Sequence, residues 1–163
     1  MIRRIAHELR HHSPFTLVGA LTGIAIVALS RQLPQRVSYT IFYVLHPVHV
    51  VLSALVTASM YRLYTRRGGR SLQTLWALLV VGYVGSIGIA TLSDSVIPFL
   101  GELLLGMPNR GVHIGFIEKW WLVNPLAIAG VALAYFLPST KFPHFGHVLL
   151  STWASLFGFA AFG

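Results

Sequence analysis

Residues 38–61 read SYTIFYVLHPVHVVLSALVTASMY, a run without Asp, Glu, Lys or Arg. It is long enough to cross a bilayer, for which about 20 apolar residues suffice. Residues 72–99, LQTLWALLVVGYVGSIGIATLSDSVIPF, form a second such run whose single charge is Asp94. Backbone polar groups in hydrocarbon must be satisfied within the segment or in a closed barrel, and runs this continuous, without the alternation of barrel strands, predict helices. The expected fold class is therefore all-α, a polytopic integral membrane helical bundle.

Outward from these two runs the pattern repeats in weaker form. Residues 14–29, 120–137 and 144–163 are shorter and predominantly apolar, so four to five transmembrane helices fit and five are favoured. Together they make one transmembrane domain over residues 1–163. Composition agrees: 55% of the 163 residues are hydrophobic and 10% charged, against roughly 25% charged in soluble domains. Mean hydropathy is +0.71.

The segments between spans carry the punctuation. MIRRIAHELRHH at residues 1–12 spaces Ile2, Ile5, Ala6 and Leu9 as one face of an interfacial amphipathic helix. Ser13-Pro14 reads as an N-cap followed by proline at the first helical position, so a new span is expected to begin there. Pro34 lies in the turn 31–36, RLYTRRGGR at 62–70 makes a basic loop, and GELLLGMPNRG at 101–111 suggests a short surface or re-entrant helix. Trp120-Trp121 suits an interfacial belt. Gly19-x-x-x-Gly23 and the trio Gly82, Gly85, Gly88 offer faces for close helix packing. The N-terminus lacks the cleavage site of a signal peptide.

The net charge of +8 sits beside apolar spans, where Lys and Arg set topology, so nucleic acid is not an expected partner. With the N-terminus cytoplasmic, Arg3, Arg4, Arg10, Arg62, Arg66, Arg67, Arg70 and Lys141 lie inside, against Arg31, Arg36, Arg110 and Lys119 outside. The plasma (inner) membrane is the expected location. The chain has no cysteine, which excludes disulfides, thiolate metal sites and cysteine nucleophiles.

Eight histidines against four acids is the unusual balance in this chain. His46 and His49 are three apart, hence on one helical face, and Asp94 near the end of the next span falls in the same half of the membrane. An ionisable side chain in a span faces a partner or a cavity. Glu102, His113 and Glu118 follow in the connection at that mouth. Imidazole and carboxylate without sulfur suit a divalent transition metal, Zn²⁺, Mn²⁺, Fe²⁺, Co²⁺ or Ni²⁺. His7, Glu8, His11, His12, His144 and His147 make a second possible site at the inner face. Pro47, and Pro98 below Asp94, are expected to interrupt their helices, as discontinuous helices do in transporter sites.

The leading expectation is a small metal-ion transporter or channel, and five spans are few for a pathway, which implies a homo-oligomer. The alternative is a membrane-embedded metalloenzyme acting on a lipid or isoprenoid phosphate, with Glu102 or Glu118 as base. Against an enzyme stands the absence of Gly-x-Ser-x-Gly, His-Glu-x-x-His, P-loop and aspartate-rich diphosphate motifs. Paired histidines also fit a b-type haem carrier, and the small size fits an accessory subunit of a membrane complex. Plainer roles compete residue by residue. His46, His49 and Asp94 could be a hydrogen-bonded tie between two helices, Glu102, His113 and Glu118 a solvated loop, and His144 a helix cap.

Overall fold

The computed structural model describes residues 2–29, 33–64, 71–107, 111–139 and 141–162. It is all-helical, with no strand among the described residues. In chain order the helices are α1 (Ile2–Leu29), α2 (Gln35–Tyr64), α3 (Leu72–Thr91), a π-helical turn (Leu92–Val96), α4 (Ile97–Leu104), α5 (Gly115–Glu118), α6 (Trp120–Phe136) and α7 (Lys141–Phe162). Two continuous helical stretches, Gln35–Leu63 and Leu72–Leu104, are long and apolar enough to cross a membrane. Ser13–Ile26, Trp120–Phe136 and Phe145–Ala161 are shorter apolar segments.

The predicted break at Ser13-Pro14 is not there, because α1 runs through both residues as one helix. Proline has no N–H to give the carbonyl four residues back. Ser13 Oγ donates to that carbonyl, Arg10 O, at 3.1 Å, and so supplies the donor that Pro14 lacks. Pro47 likewise lies within an unbroken α2, so the expected interruption of that helix is absent.

Contacts between elements fix their directions. Gln35 meets Ala161 and His49 meets His147, so α2 and α7 are antiparallel. Gly82 and Gly85 of α3 lie against Ala58 and Thr57 of α2, also antiparallel, while α6 follows α2 from Gly130 beside Ala54 to Tyr135 beside Arg62. The first helix runs parallel to α7, with Gly19 and Gly23 against Thr152 and Leu156. Successive long helices therefore alternate in direction, and α2 is the central one, packed by α3, α6 and α7.

Toward the Tyr64 end the core is mainly apolar. Ala54, Ala58, Leu78, Val131 and Ala134 form a buried cluster there, closed by small residues that bring backbones together. Arg62 donates to the carbonyls of Ala134 and Tyr135, which α6 leaves open at its C-terminus. The outer surface of the bundle is apolar as well, with Leu21, Val44, Trp76, Val80, Val84 and Leu133 all exposed. An exposed apolar band of this extent marks a membrane or protein interaction surface.

The glycines separate by role. A Cβ on Gly130 would overlap the carbonyl oxygen of Val51, and one on Gly82 would come within 2.7 Å of Val131 and 2.9 Å of Ala58. Gly88 meets nothing, so the expected packing stripe of three is a stripe of two, with Gly85 against Thr57. Thermal unfolding in detergent should show Gly130→Ala destabilised by about 1–3 kcal/mol, since backbone cannot move aside cheaply. Gly88→Ala should be neutral or gain up to about 1 kcal/mol from helix propensity.

Candidate metal centre

The site begins with a helical irregularity. Pro98 has no N–H for the carbonyl of Asp94, and the ladder ahead of it shifts by one residue: Ile97 N–H bonds Leu92 O rather than Ser93 O. The result is the π-turn Leu92–Val96, a feature common at functional positions. Pro98 does loosen its helix, as expected, by widening a turn instead of ending it. The shift takes the donor from Ser93 O, and Ser155 Oγ of α7 replaces it at 2.6 Å.

The π-turn presents Asp94 to α2. His46 and His49, three residues apart on that helix, both donate through Nδ1 to the same oxygen, Asp94 Oδ2, at 2.7 and 2.8 Å. The other carboxylate oxygen accepts from Ser93 Oγ and lies 3.4 Å from Ser155 Oγ. All three residues are buried, at 2%, 0% and 3% exposure, and each offers a ligand atom within 4.8 Å of the others. This group could hold a metal ion.

Aromatic and small residues hold the imidazoles in place. Phe42 stacks on His46 with centroids 5.2 Å apart and planes at 17°. At the Nε2 edge of that ring, Gly115 lies so close to His46 that a Cβ would overlap it. Gly158 does the same service for Phe42, with room for no more than contact at 3.1 Å.

The other residues predicted for the outer side, Glu102, His113 and Glu118, lie outside this group. Glu118 accepts from Tyr43 Oη at 2.8 Å, from Ile114 N at 3.2 Å and from His113 Nδ1 at 3.2 Å. His113 and Glu118 remain 37% and 35% exposed, and Ser95 of the π-turn holds the His113 carbonyl. Lys119 Nζ lies over the Tyr43 ring at 5.0 Å. Glu102 is buried under the following connection, where it accepts from Gly111 N at 3.3 Å.

The predicted inner group divides. The ring of His147 stacks on His49, centroids 4.7 Å apart and planes at 28°. The reason is the antiparallel packing of α7 on α2, which brings a residue near the start of one helix to the middle of the other. The side chains of His7, Glu8, His11, His12 and His144 lie outside the described residues. Sequence reasoning missed Tyr43, Ser155 and Gly115. Tyr43 shares a face with His46 at a spacing of three, a signal available in the sequence. Ser155 and Gly115 gave none, because their roles depend on how α7 and α5 dock.

No family model, curated protein or solved structure matches the chain.

The three buried groups should behave as one unit. In a double-mutant cycle on unfolding in detergent, His46→Ala and Asp94→Ala should show a coupling energy of about 0.5–3 kcal/mol. Ser155→Ala, which leaves Ser93 O without its donor, should cost about 1–3 kcal/mol.

Proposed function

We propose that this chain is an integral membrane protein that binds a divalent transition-metal ion within the bilayer and conducts it across, with His46, His49 and Asp94 as the intramembrane ligands. The observation that carries the reading is the convergence of those three ligating side chains, fully buried, beneath a solvent-reaching His113–Glu118 pair. A tie between helices needs one donor and one acceptor. Here a carboxylate and two imidazoles share a single oxygen, and Tyr43, one turn from His46, links that level to Glu118.

The reading takes five crossings, α1, α2, α3 continued through α4, α6 and α7, and the alternation of their directions supports it. At 1.5 Å per residue, α6 spans about 25 Å and α7 about 33 Å, near the roughly 30 Å hydrocarbon thickness. The Arg and Lys distribution favours a cytoplasmic N-terminus in the plasma membrane. The mouth of His113 and Glu118 then faces outward. A single bundle this small encloses little pathway, so a homo-oligomer is part of the proposal.

The donor set of two nitrogens and one oxygen favours Zn²⁺, Mn²⁺, Fe²⁺, Co²⁺ or Ni²⁺ over Mg²⁺ or Ca²⁺, which take oxygen ligands. Ligands around 2.1 Å from such an ion stand roughly 3.4 Å apart in tetrahedral geometry. The His–Asp distances would therefore open by about 0.6 Å as the ion replaces the shared hydrogens. A side-chain adjustment of that size needs no backbone movement.

In liposomes carrying a metal-sensitive dye, the wild type should admit Zn²⁺ faster than empty vesicles. Asp94→Asn and His49→Ala should each lower the flux at least about tenfold, the scale on which even outer supporting groups affect metal sites. Wild-type flux no greater than that of empty vesicles, or flux unchanged in both variants, overturns the reading. Elution as a single symmetric peak in detergent checks that the variants are folded.

A further inference from the structure

His49 is served on one side only. Its Nδ1–H is donated to Asp94, and in a neutral imidazole so arranged the lone pair lies on Nε2. That Nε2 is buried in a fully enclosed residue and has no hydrogen-bond partner among the described residues. One turn further toward the Tyr64 end, on the same face of α2, the hydroxyl of Ser53 is also buried without a partner. A polar atom left unpaired in an apolar interior is costly, so two of them one turn apart call for a ligand. The imidazole of His147, stacked on His49 from α7, is the third polar group of this region. Gly146, whose absent side chain leaves Leu52 its place, lets α7 come this near.

We infer that a second cation position lies on the Nε2 side of His49, completed by His147 and Ser53 Oγ, and that an ion passes to it from the Asp94 site. This rests on the proposed metal centre and adds the next step of the path. The two positions share one ring. An ion on Nδ1 lies with His46 and Asp94 and leaves His49 as its Nε2–H tautomer, whereas an ion on Nε2 lies with His147, so the hand-off shifts one proton from Nε2 to Nδ1, which again donates it to the Asp94 carboxylate. The second arrangement is the familiar one in which a carboxylate orients a metal-bound imidazole through its other nitrogen. Because both positions use His49, they are filled in turn and the chain holds one ion at a time. His49 is thereby a hand-off residue that faces the outer ligands with one nitrogen and the mainly apolar half of the bundle with the other.

The probe is Co²⁺, followed by equilibrium dialysis and its visible absorption, with flux in liposomes as a second readout. Wild type should bind one ion per chain. His46→Ala/Asp94→Asn, which leaves an amide oxygen to orient His49, should still bind one, more weakly and with a changed spectrum. Adding His147→Phe to that variant should abolish binding, although the phenyl ring preserves the stacking. His147→Phe alone should keep its ion and lose flux at least about tenfold, since the path stops at the first position. The inference is overturned if the double variant binds nothing, if its ion is indifferent to His147→Phe, or if His147→Phe alone conducts like wild type. A wild type that binds no Co²⁺ removes the metal centre itself and this step with it. Should the double variant fail to fold, Ser53→Ala/His147→Phe decides by the same criterion, binding retained with flux lost; retained flux overturns the second position.

Discussion

A carboxylate enclosed among apolar helices must be met by donors, and the placement of Asp94 imposes that requirement on the whole bundle. Its two oxygens draw on α2 through His46 and His49, on its own π-turn through Ser93, and they approach α7 at Ser155. Three helices are thereby held in one register. A sliding of any of them by a residue would leave a buried charge or a buried imidazole without its counterpart, at a cost of several kcal/mol. Apolar packing alone specifies much less in a membrane, where lipid tails compete with Leu and Val on equal terms.

The irregular backbone and the polar side chains belong to the same device. Pro98 withdraws a donor, the turn before it widens, Asp94 swings toward α2, and the carbonyl left over at Ser93 is taken by Ser155. Regular helix would satisfy the backbone better and would present the carboxylate elsewhere. Departures from local preference of this kind gather at functional positions, and the rest of the fold compensates for them. Here the compensation is the close apolar packing of Ala54, Ala58, Gly82, Gly130 and Val131.

The two halves of the molecule thus differ in character. Toward the Gln35 end, α2 carries Tyr43, His46 and His49 in sequence, and Glu118 of α5 bonds Tyr43 and the neighbouring His113. Toward the Tyr64 end the core is mainly apolar, closed by Arg62 on the carbonyls of α6. The boundary between these regions falls at His49, Ser53 and His147. The buried His49 Nε2 and Ser53 Oγ, which have no hydrogen-bond partner among the described residues, lie at that boundary.

Much of this was legible in the chain. Two uncharged or nearly uncharged runs dictate long helices, because hydrocarbon admits no other backbone for segments of that pattern. His46 and His49 share a face by spacing alone, and Asp94, as the one acid within a predicted span, had to find a partner. Local pattern misled at Ser13-Pro14, where a serine hydroxyl rescues the helix that proline should end. It gave no sign that His147 would stack on His49. Helical periodicity and burial cost are properties of a segment, so the sequence determined which residues must be helical and which could not remain alone among apolar neighbours. Which partners they found, the widening at Asp94, the service of Ser155 and Gly115, and the stacking of His147 depend on distances between helices far apart in the chain. Only docking of the helices decides those, because a hydrogen bond or a close approach between α2 and α7 leaves no period in either sequence.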